Sequence, residues 1–335
     1  MSDLETPAAA TAPGRRSLAD LLPSDWWKVV FAWAAVVVLF VVGGFLKDGF
    51  LSRGSIQSVL VVASFTGFVA AGQVFVILVG GIDFSVPWVL NAAAILLVTS
   101  SHGADSGAAW GVLLSLGLGL GVGALNGIGV AYLSIPAVVM TLGMNGIMQG
   151  LTLGLSKGLT CDSCTASAPR AVSGAIVGHV LGVPSVLFVW LGIAVLVSLV
   201  LGVTVFGRRV YAIGNSPAAS FLAGVNVRLV TVGLYMISGM FAAFAGIALT
   251  AYGGQPTLGL GDPYLLQSVA AIVIGGVSIL GGRGLFLGTV AGAVILTTLV
   301  TLLRAENMPD YGRNIVYGLV ILLILVAYGR ERRGR

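Results

Sequence analysis

Charged residues are scarce in this chain of 335 residues: Lys and Arg number 17, Asp and Glu number 12, and together they make up 9% of the sequence. A soluble domain has roughly a quarter of its residues charged. With so few charges this chain cannot cover a water-facing surface of its size, so lipid must be its main solvent. The scarcity excludes a large soluble domain, and the lack of basic clusters with interleaved aromatic residues excludes nucleic acid as a partner.

Side chains that carry chemistry are also few, since the chain has two histidines and two cysteines. No zinc-protease motif, phosphate-binding loop or nucleophile elbow occurs. We therefore predict that the chain is not an enzyme and holds no metal or cofactor. Cys161 and Cys164 form a C-x-x-C pair, which fits a disulfide in an oxidising compartment, two idle thiols, a redox pair or half a zinc site.

Hydrophobic residues, in contrast, make up 57% of the chain, and glycine occurs 49 times. A membrane-spanning helix needs roughly 20 apolar residues, and glycine lets such helices approach closely or break. The apolar runs predict an all-α polytopic membrane protein with about ten spans, some broken or re-entrant. They lie near residues 29–46, 56–79, 85–99, 109–133, 137–155, 184–206, 229–252, 264–280, 285–303 and 315–328.

The basic residues predict the orientation and the domain boundaries. With a cytoplasmic N-terminus, 11 of the 17 Lys and Arg residues fall in inside segments, as the positive-inside rule requires. Residues 1–27 then form a cytoplasmic disordered tail, residues 28–329 the transmembrane domain, and residues 330–335 a cytoplasmic basic tail. Cys161 and Cys164 fall in the longest outside loop.

Polar residues within apolar runs are candidates for the translocation pathway, because they are expensive to bury in a membrane. They are Gln73, Asp83, Asn126, Asn145 and Gln267. Neutral amides suit a polyhydroxylated solute, and they also serve as bonds between helices. Since a proton- or sodium-driven carrier usually needs buried carboxylates, their near absence argues against ion coupling.

Asp83 stands in the sharpest of these motifs. An apolar run ends at Gly80 and Gly81, Asp83 or Ser85 is placed to cap a following helix, and Pro87 suits the first turn of that helix. The start of such a helix offers N–H groups to ligand oxygens. The alternative is that Asp83 caps a helix at the cytoplasmic interface and contacts no substrate.

Residues 208–228 form the longest polar segment between two apolar blocks and fall on the cytoplasmic side. Asn215 or Ser216 is predicted to cap a short helix with Pro217 in its first turn, and Gly224 is predicted to end it. A helix of about two turns is too short to span a bilayer. It is either a docking site for another protein or a passive interfacial helix.

Four motifs resemble the ribose-type permease subunits of bacterial ABC importers. They are GGIDFSVP at 80–87, NG at 126–127 followed by IPAVVMTLG at 135–143, GRRVYAIGNSPAA at 207–219 followed by AGV at 223–225, and AAIVIGGVSILGGRG at 270–284 followed by GT at 288–289. The motifs stand in the family's order across about residues 50–328. Phe84, Pro87, Pro136, Leu265 and Gln267 depart from the family's usual residues.

The resemblance implies a multi-pass protein of the bacterial plasma (inner) membrane with both termini in the cytoplasm. Its implied partners are an ABC ATP-binding subunit, an external sugar-binding protein and a second copy of the permease. The segment that would couple to the ATPase contains Arg208, Arg209, Gly214, Asn215, Pro217, Ala218, Ala219 and Gly224.

The implied function is import of a monosaccharide such as ribose, xylose or galactose. Branched-chain amino acids or nucleosides, carried by related permeases, are the alternative cargo. A stand-alone carrier or channel predicts buried charges and no docking helix, and a membrane oxidoreductase would depend on the cysteine pair alone.

Overall fold

The computed structural model describes residues 24–158 and 167–306, together with several positions between 308 and 319. The predictions for the N-terminal tail up to residue 23, for Cys161 and Cys164, for most of the tenth span and for the basic C-terminal tail lie outside the described residues.

The regular secondary structure of the described residues is α-helix apart from one short hairpin, in which β1 His179–Val180 pairs antiparallel with β2 Val183–Pro184. The helices are α1 Ser24–Leu46, α2 Arg53–Leu78, α3 Val86–Ser101, α4 Asp105–Ala131, α5 Ala137–Leu155, α6 Arg170–Val177, α7 Ser185–Val203, α8 Val205–Asn215, α9 Pro217–Leu222, α10 Val227–Gly253, α11 Asp262–Ile274 and α12 Phe286–Ala305.

Seven of the described helices are long and apolar enough to cross a membrane, and α3 and α11 are shorter apolar helices. These nine overlap the first nine predicted spans, with differences at their ends. The chain is therefore an all-α polytopic membrane protein. A total of ten spans stays a prediction.

Helix α2 is the centre of the fold. It is buried without interruption from Ala63 to Leu78 and contacts α7, α10, α11 and α12. A helix that is apolar on all sides is buried on all sides, whether in a large protein or among other membrane helices. The sequence of α2 agrees, because its apolar residues form no single stripe.

Helices α4 and α10 pack through facing glycines. A Cβ added to Gly119 or to Gly239 would overlap the backbone carbonyl of the other residue, and one added to Gly123 would overlap the carbonyl of Tyr235. At Gly117, on another side of α4, no described atom lies within 4 Å of an added Cβ. Close backbone approach through small residues is the usual packing mode of membrane helices.

Helix α2 ends where the chain turns back on itself. Gly80 has φ +82°, and the N–H of Gly81 returns to the carbonyl of Val76 at 3.0 Å. This is a Schellman ending, in which a left-handed glycine satisfies carbonyls that the helix leaves open.

Helix α11 ends in the same way. Gly276 has φ +88°, and the N–H of Val277 returns to the carbonyl of Ile272 at 3.1 Å. The sequences before the two turns are similar, ILVGGID at 77–83 and IVIGGVS at 272–278, and their alignment pairs Gly80 with Gly275. The two turns instead equate Gly80 with Gly276, a shift of one residue.

The sixth predicted span, 184–206, is too long. Helix α7 ends at Val203, and the backbone at Thr204 is extended. Thr204 Oγ1 accepts a hydrogen bond from the N–H of Gly207 at 3.1 Å, which caps the start of α8. Residues 208–214, expected as part of a loop, are therefore helical and separate from the span.

Candidate functional site

The site is built around α8 and α9, which connect α7 to α10. Helix α9 begins at Pro217, and Ser216 Oγ accepts a hydrogen bond from the N–H of Ala219 at 3.2 Å. Of the two expected caps, Ser216 therefore acts as the cap and Asn215 does not. Gly224 has φ +81° just after the helix, which is the conformation expected of a glycine that ends one.

The outer surface of α9 is open to its surroundings. Pro217, Ala218 and Ala219 are exposed. Phe221 and Leu222 are 70% and 86% exposed, which is unusual for large apolar side chains. Sequence reasoning missed these two residues, although an apolar pair at the end of a short polar segment is a signal that it could have used.

Two side chains of α8 hold the glycine-rich turn at 281–284. Tyr211 donates its hydroxyl hydrogen to the carbonyl of Gly284 at 2.8 Å. Asn215 Nδ2 donates to the carbonyl of Gly282 at 3.0 Å. Asn215 thus ties α8 to the turn before α12, a role that its expected capping position did not predict.

Gly214 lies where α8, the turn at 281–284 and the end of α2 meet. We call this meeting point the glycine joint. The N–H of Gly282 donates to the carbonyl of Leu78 at 2.8 Å. A Cβ on Gly214 would overlap that same Leu78 oxygen and would lie 2.5 Å from the nitrogen of Gly282. Only glycine fits this position without moving backbone.

Arg208 and Arg209 lie on the exposed side of α8. Val203 is the last residue of α7, and its carbonyl accepts a hydrogen bond from Nη1 of the Arg208 guanidinium at 3.0 Å. A cation at a helix C-terminus stabilises its free carbonyls. Arg208 therefore has a local structural role in addition to its charge.

Asp83 lies in a fully buried cluster of polar side chains, where its carboxylate accepts the hydrogen bonds. We call this the Asp83 cluster. Its Oδ1 accepts from the N–H and the hydroxyl of Ser85 at 3.0 and 2.6 Å. Its Oδ2 accepts from the hydroxyl of Ser238 on α10 at 2.7 Å. These bonds tie the start of α3 to α10.

Two amides complete the Asp83 cluster. Gln73 Nε2 on α2 donates to the backbone carbonyl of Asp83 at 3.2 Å, and Asn126 Nδ2 on α4 donates to Ser85 Oγ at 2.9 Å. All these side chains are buried. The turn at Gly80 thus brings Asp83 back among four helices, where its side chain is fully buried.

The other two predicted pathway residues lie apart from this cluster. Asn145 on α5 is half-buried, and its Oδ1 accepts from the N–H of Trp88 at 3.4 Å. Gln267 Oε1 accepts from the hydroxyl of Thr66 at 3.4 Å. Sequence reasoning missed Ser238, and a serine within an apolar helix gave no signal of its role.

The Asp83 cluster contains one carboxylate, two hydroxyl groups and two amides. Within the described residues, no three His, Cys, Asp or Glu side chains come together to hold a metal ion. The Asp83 cluster joins helices through hydrogen bonds, and the glycine joint connects the α8–α9 segment to the core. The arrangement is suited to transmitting a displacement.

Comparison with known proteins agrees with this description. A family model described as "Branched-chain amino acid transport system / permease component" matches residues 55–325. The ribose import permease protein RbsC of Escherichia coli strain K12 is 32% identical over 96% of this chain and 99% of its own length. No solved structure gives a significant match.

Other relatives have similar coverage. The autoinducer 2 import system permease protein LsrC of Salmonella choleraesuis is 33% identical over 90% of this chain and 85% of its own length. The ribose import permease of Haemophilus influenzae is 30% identical over 88% of this chain and 91% of its own length. Because the family model covers most of the chain and these relatives match it almost from end to end, the chain belongs to the family of membrane-embedded permease components of ABC importers.

Proposed function

We propose that this protein is the membrane-spanning, non-catalytic subunit of an ATP-driven importer, and that its cargo is a monosaccharide delivered by an external binding protein. The near full-length similarity to ribose import permeases carries the proposal. Branched-chain amino acids, named in the family description, are the alternative cargo. The half-buried amides Asn145 and Gln267 favour a neutral polyhydroxylated solute over a zwitterion.

The ATP-hydrolysing partner docks on α9. The exposed Phe221 and Leu222 supply apolar side chains for a groove in that partner, and Ala218 and Ala219 let its surface approach closely. The exposed guanidinium of Arg209 supplies a positive charge beside them. An apolar centre with a polar rim is the usual composition of a protein interface.

A push on α9 then reaches the core through the glycine joint. Helix α8 is bonded to the turn at 281–284 through Tyr211 and Asn215, and it contacts the end of α2 at Gly214. Because α2 is buried along most of its length, a shift at its end is passed to the helices packed around it.

The Asp83 cluster holds the helices beside the pathway in one arrangement. Its hydrogen bonds connect α3, α4 and α10, and each of these helices must shift for a solute to pass. Asn145 on α5 and Gln267 on α11 contact the solute further along the path. Half-burial of Asn145 in this arrangement supports its assignment to the pathway wall.

A second copy of the chain covers α5. Gly143, Gly146, Gly150 and Gly154 each have no described atom within 4 Å of an added Cβ. The polar Gln149 is exposed on the same helix, where lipid would leave its amide unsatisfied. The distribution of Lys and Arg supports cytoplasmic termini, and similarity to binding-protein-dependent permeases supports a binding protein on the opposite side.

Reconstitution tests the function. We expect proteoliposomes containing the permease, its ATPase and its binding protein to accumulate a labelled monosaccharide when ATP is supplied on the ATPase side. A matched sample without ATP should accumulate none. Uptake of leucine in place of every sugar tested would establish the alternative, and native mass spectrometry of the same complex should give two permease copies.

Gly224 gives a test of the coupling segment alone. We expect Gly224→Val to reduce ATP-driven uptake several-fold with normal membrane insertion, because a β-branched residue at φ +81° costs about 1–2 kcal/mol and shifts the end of α9. Gly224→Asn is the control, since asparagine tolerates this conformation. Equal uptake by the two variants would contradict the role of this turn.

A further inference from the structure

A groove lies between α1, the end of α11 and the middle of α12, beside the residues that lead from α11 into the turn at 281–284. Its volume is about 300 Å³. The residues that line it are Lys28, Phe31, Ala32, Ala35, Ile274 and Ile295. Five of the six are apolar, and the sixth is a cation.

Two tryptophans beside the groove indicate that it starts at the level of the lipid headgroups. Lys28 lies in the first turns of α1 directly after Trp26 and Trp27, which are 39% and 41% exposed. Tryptophan is enriched at the level of the lipid headgroups. Ala35 is seven positions further along the helix, which corresponds to about 10 Å of depth.

Lys28 is placed against the end of α11. Its Cβ and Cδ lie 2.7 and 3.1 Å from the position that a Cβ on Gly276 would occupy. The glycine that ends α11 therefore leaves room for the lysine stem. A lysine at this depth buries its stem and directs its ammonium group to the membrane surface.

The lining decides what fills the groove. A volume of 300 Å³ corresponds to roughly ten water molecules at about 30 Å³ each, and buried water needs two to four polar partners. A single polar side chain cannot hold that much water. In a bilayer the groove therefore takes up hydrocarbon, and a cationic side chain at its headgroup end favours an anionic lipid.

We propose that this groove binds one anionic phospholipid. The headgroup phosphate lies at Lys28, and one acyl chain lies along Phe31, Ala32 and Ala35 of α1 against Ile274 and Ile295. The lipid thereby joins α1 to α11 and α12. Helix α1 presents many exposed apolar residues, so a bound lipid adds contacts that its neighbours in the chain do not supply.

Lipid binding to the purified full-length protein tests the proposal. We expect native mass spectrometry in a neutral detergent to show tighter binding of phosphatidylglycerol than of phosphatidylcholine. Lys28→Gln should weaken phosphatidylglycerol binding about five-fold, the effect of one basic residue near a membrane surface. Lys47→Gln is the matched control, because Lys47 is exposed beyond the other end of α1.

Filling the groove tests the position of the acyl chain. Ala35→Phe should lower binding of both lipids, whereas Ala34→Phe, on an exposed side of α1 outside the groove, should leave it unchanged. Inorganic phosphate at the lipid's concentration should not displace phosphatidylglycerol.

Three results would overturn the proposal. They are equal binding of the two lipids, wild-type binding by Lys28→Gln, and displacement by inorganic phosphate alone. An effect of Ala35→Phe on oligomeric state or melting without any effect on lipid binding would assign the groove to another protein segment.

Discussion

Replacing Gly214 by valine is expected to lower ATP-driven uptake about ten-fold or more, the effect of losing a coupling free energy of roughly 1.4 kcal/mol. Any side chain at this position overlaps the carbonyl of Leu78 and crowds the nitrogen of Gly282. The new side chain must therefore push α8 away from the end of α2. Both sides of the glycine joint stay folded, but displacement of one no longer moves the other.

The measurement separates coupling from folding. In proteoliposomes, we expect the variant to keep basal ATP hydrolysis and to lose the stimulation by the substrate-loaded binding protein. Gly202→Val is the matched control, since Gly202 lies in the last turn of α7 and no described atom is within 4 Å of its added Cβ. Equal stimulation in the two variants would show that the joint does not transmit the motion.

Replacing Asp83 by alanine is expected to destabilise the protein by several kcal/mol. The carboxylate accepts three hydrogen bonds from buried groups of Ser85 and Ser238, and each donor left unsatisfied costs about 1–3 kcal/mol. Asp83→Asn keeps the shape of the side chain and one acceptor oxygen, so this variant should lose less stability than Asp83→Ala. We expect the melting temperature to fall in the order wild type, Asp83→Asn, Asp83→Ala.

An exposed aspartate provides the control. Asp105 Oδ1 accepts one hydrogen bond from the N–H of Ala171 at 2.8 Å, at an exposed position. Asp105→Ala should change the melting temperature little, because water replaces the lost partner. If Asp83→Ala and Asp105→Ala have the same melting temperature, the Asp83 cluster does not hold α3 and α10 together.

Much of the candidate site was predictable from local sequence. Ser216, Pro217 and Gly224 specify a short helix through the conformations and hydrogen bonds that their own side chains and backbone adopt. The apolar runs likewise placed nine apolar helices, seven of them long enough to cross a membrane, because hydropathy over about 20 residues decides whether a helix is stable in lipid. These properties depend on neighbouring residues in the chain.

The partners of the buried polar residues were not predictable in this way. Asp83 and Ser238 are 155 positions apart in sequence, and Asn215 is 67 positions from Gly282. Nothing in the sequence near Asp83 shows that the turn at Gly80 carries it back among the helices. Its hydrogen-bond partners on other helices could not be predicted for that reason, and its place in the pathway stays a prediction.

The sequence alone determined that the chain is a helical membrane protein with a short helix at 217–222, since both depend on composition and local capping. Only the tertiary structure decided what that helix is attached to. The close approach of Gly214 to the end of α2 and the enclosure of Asp83 depend on how helices pack. Packing is set by contacts between residues distant in sequence, which local pattern does not encode.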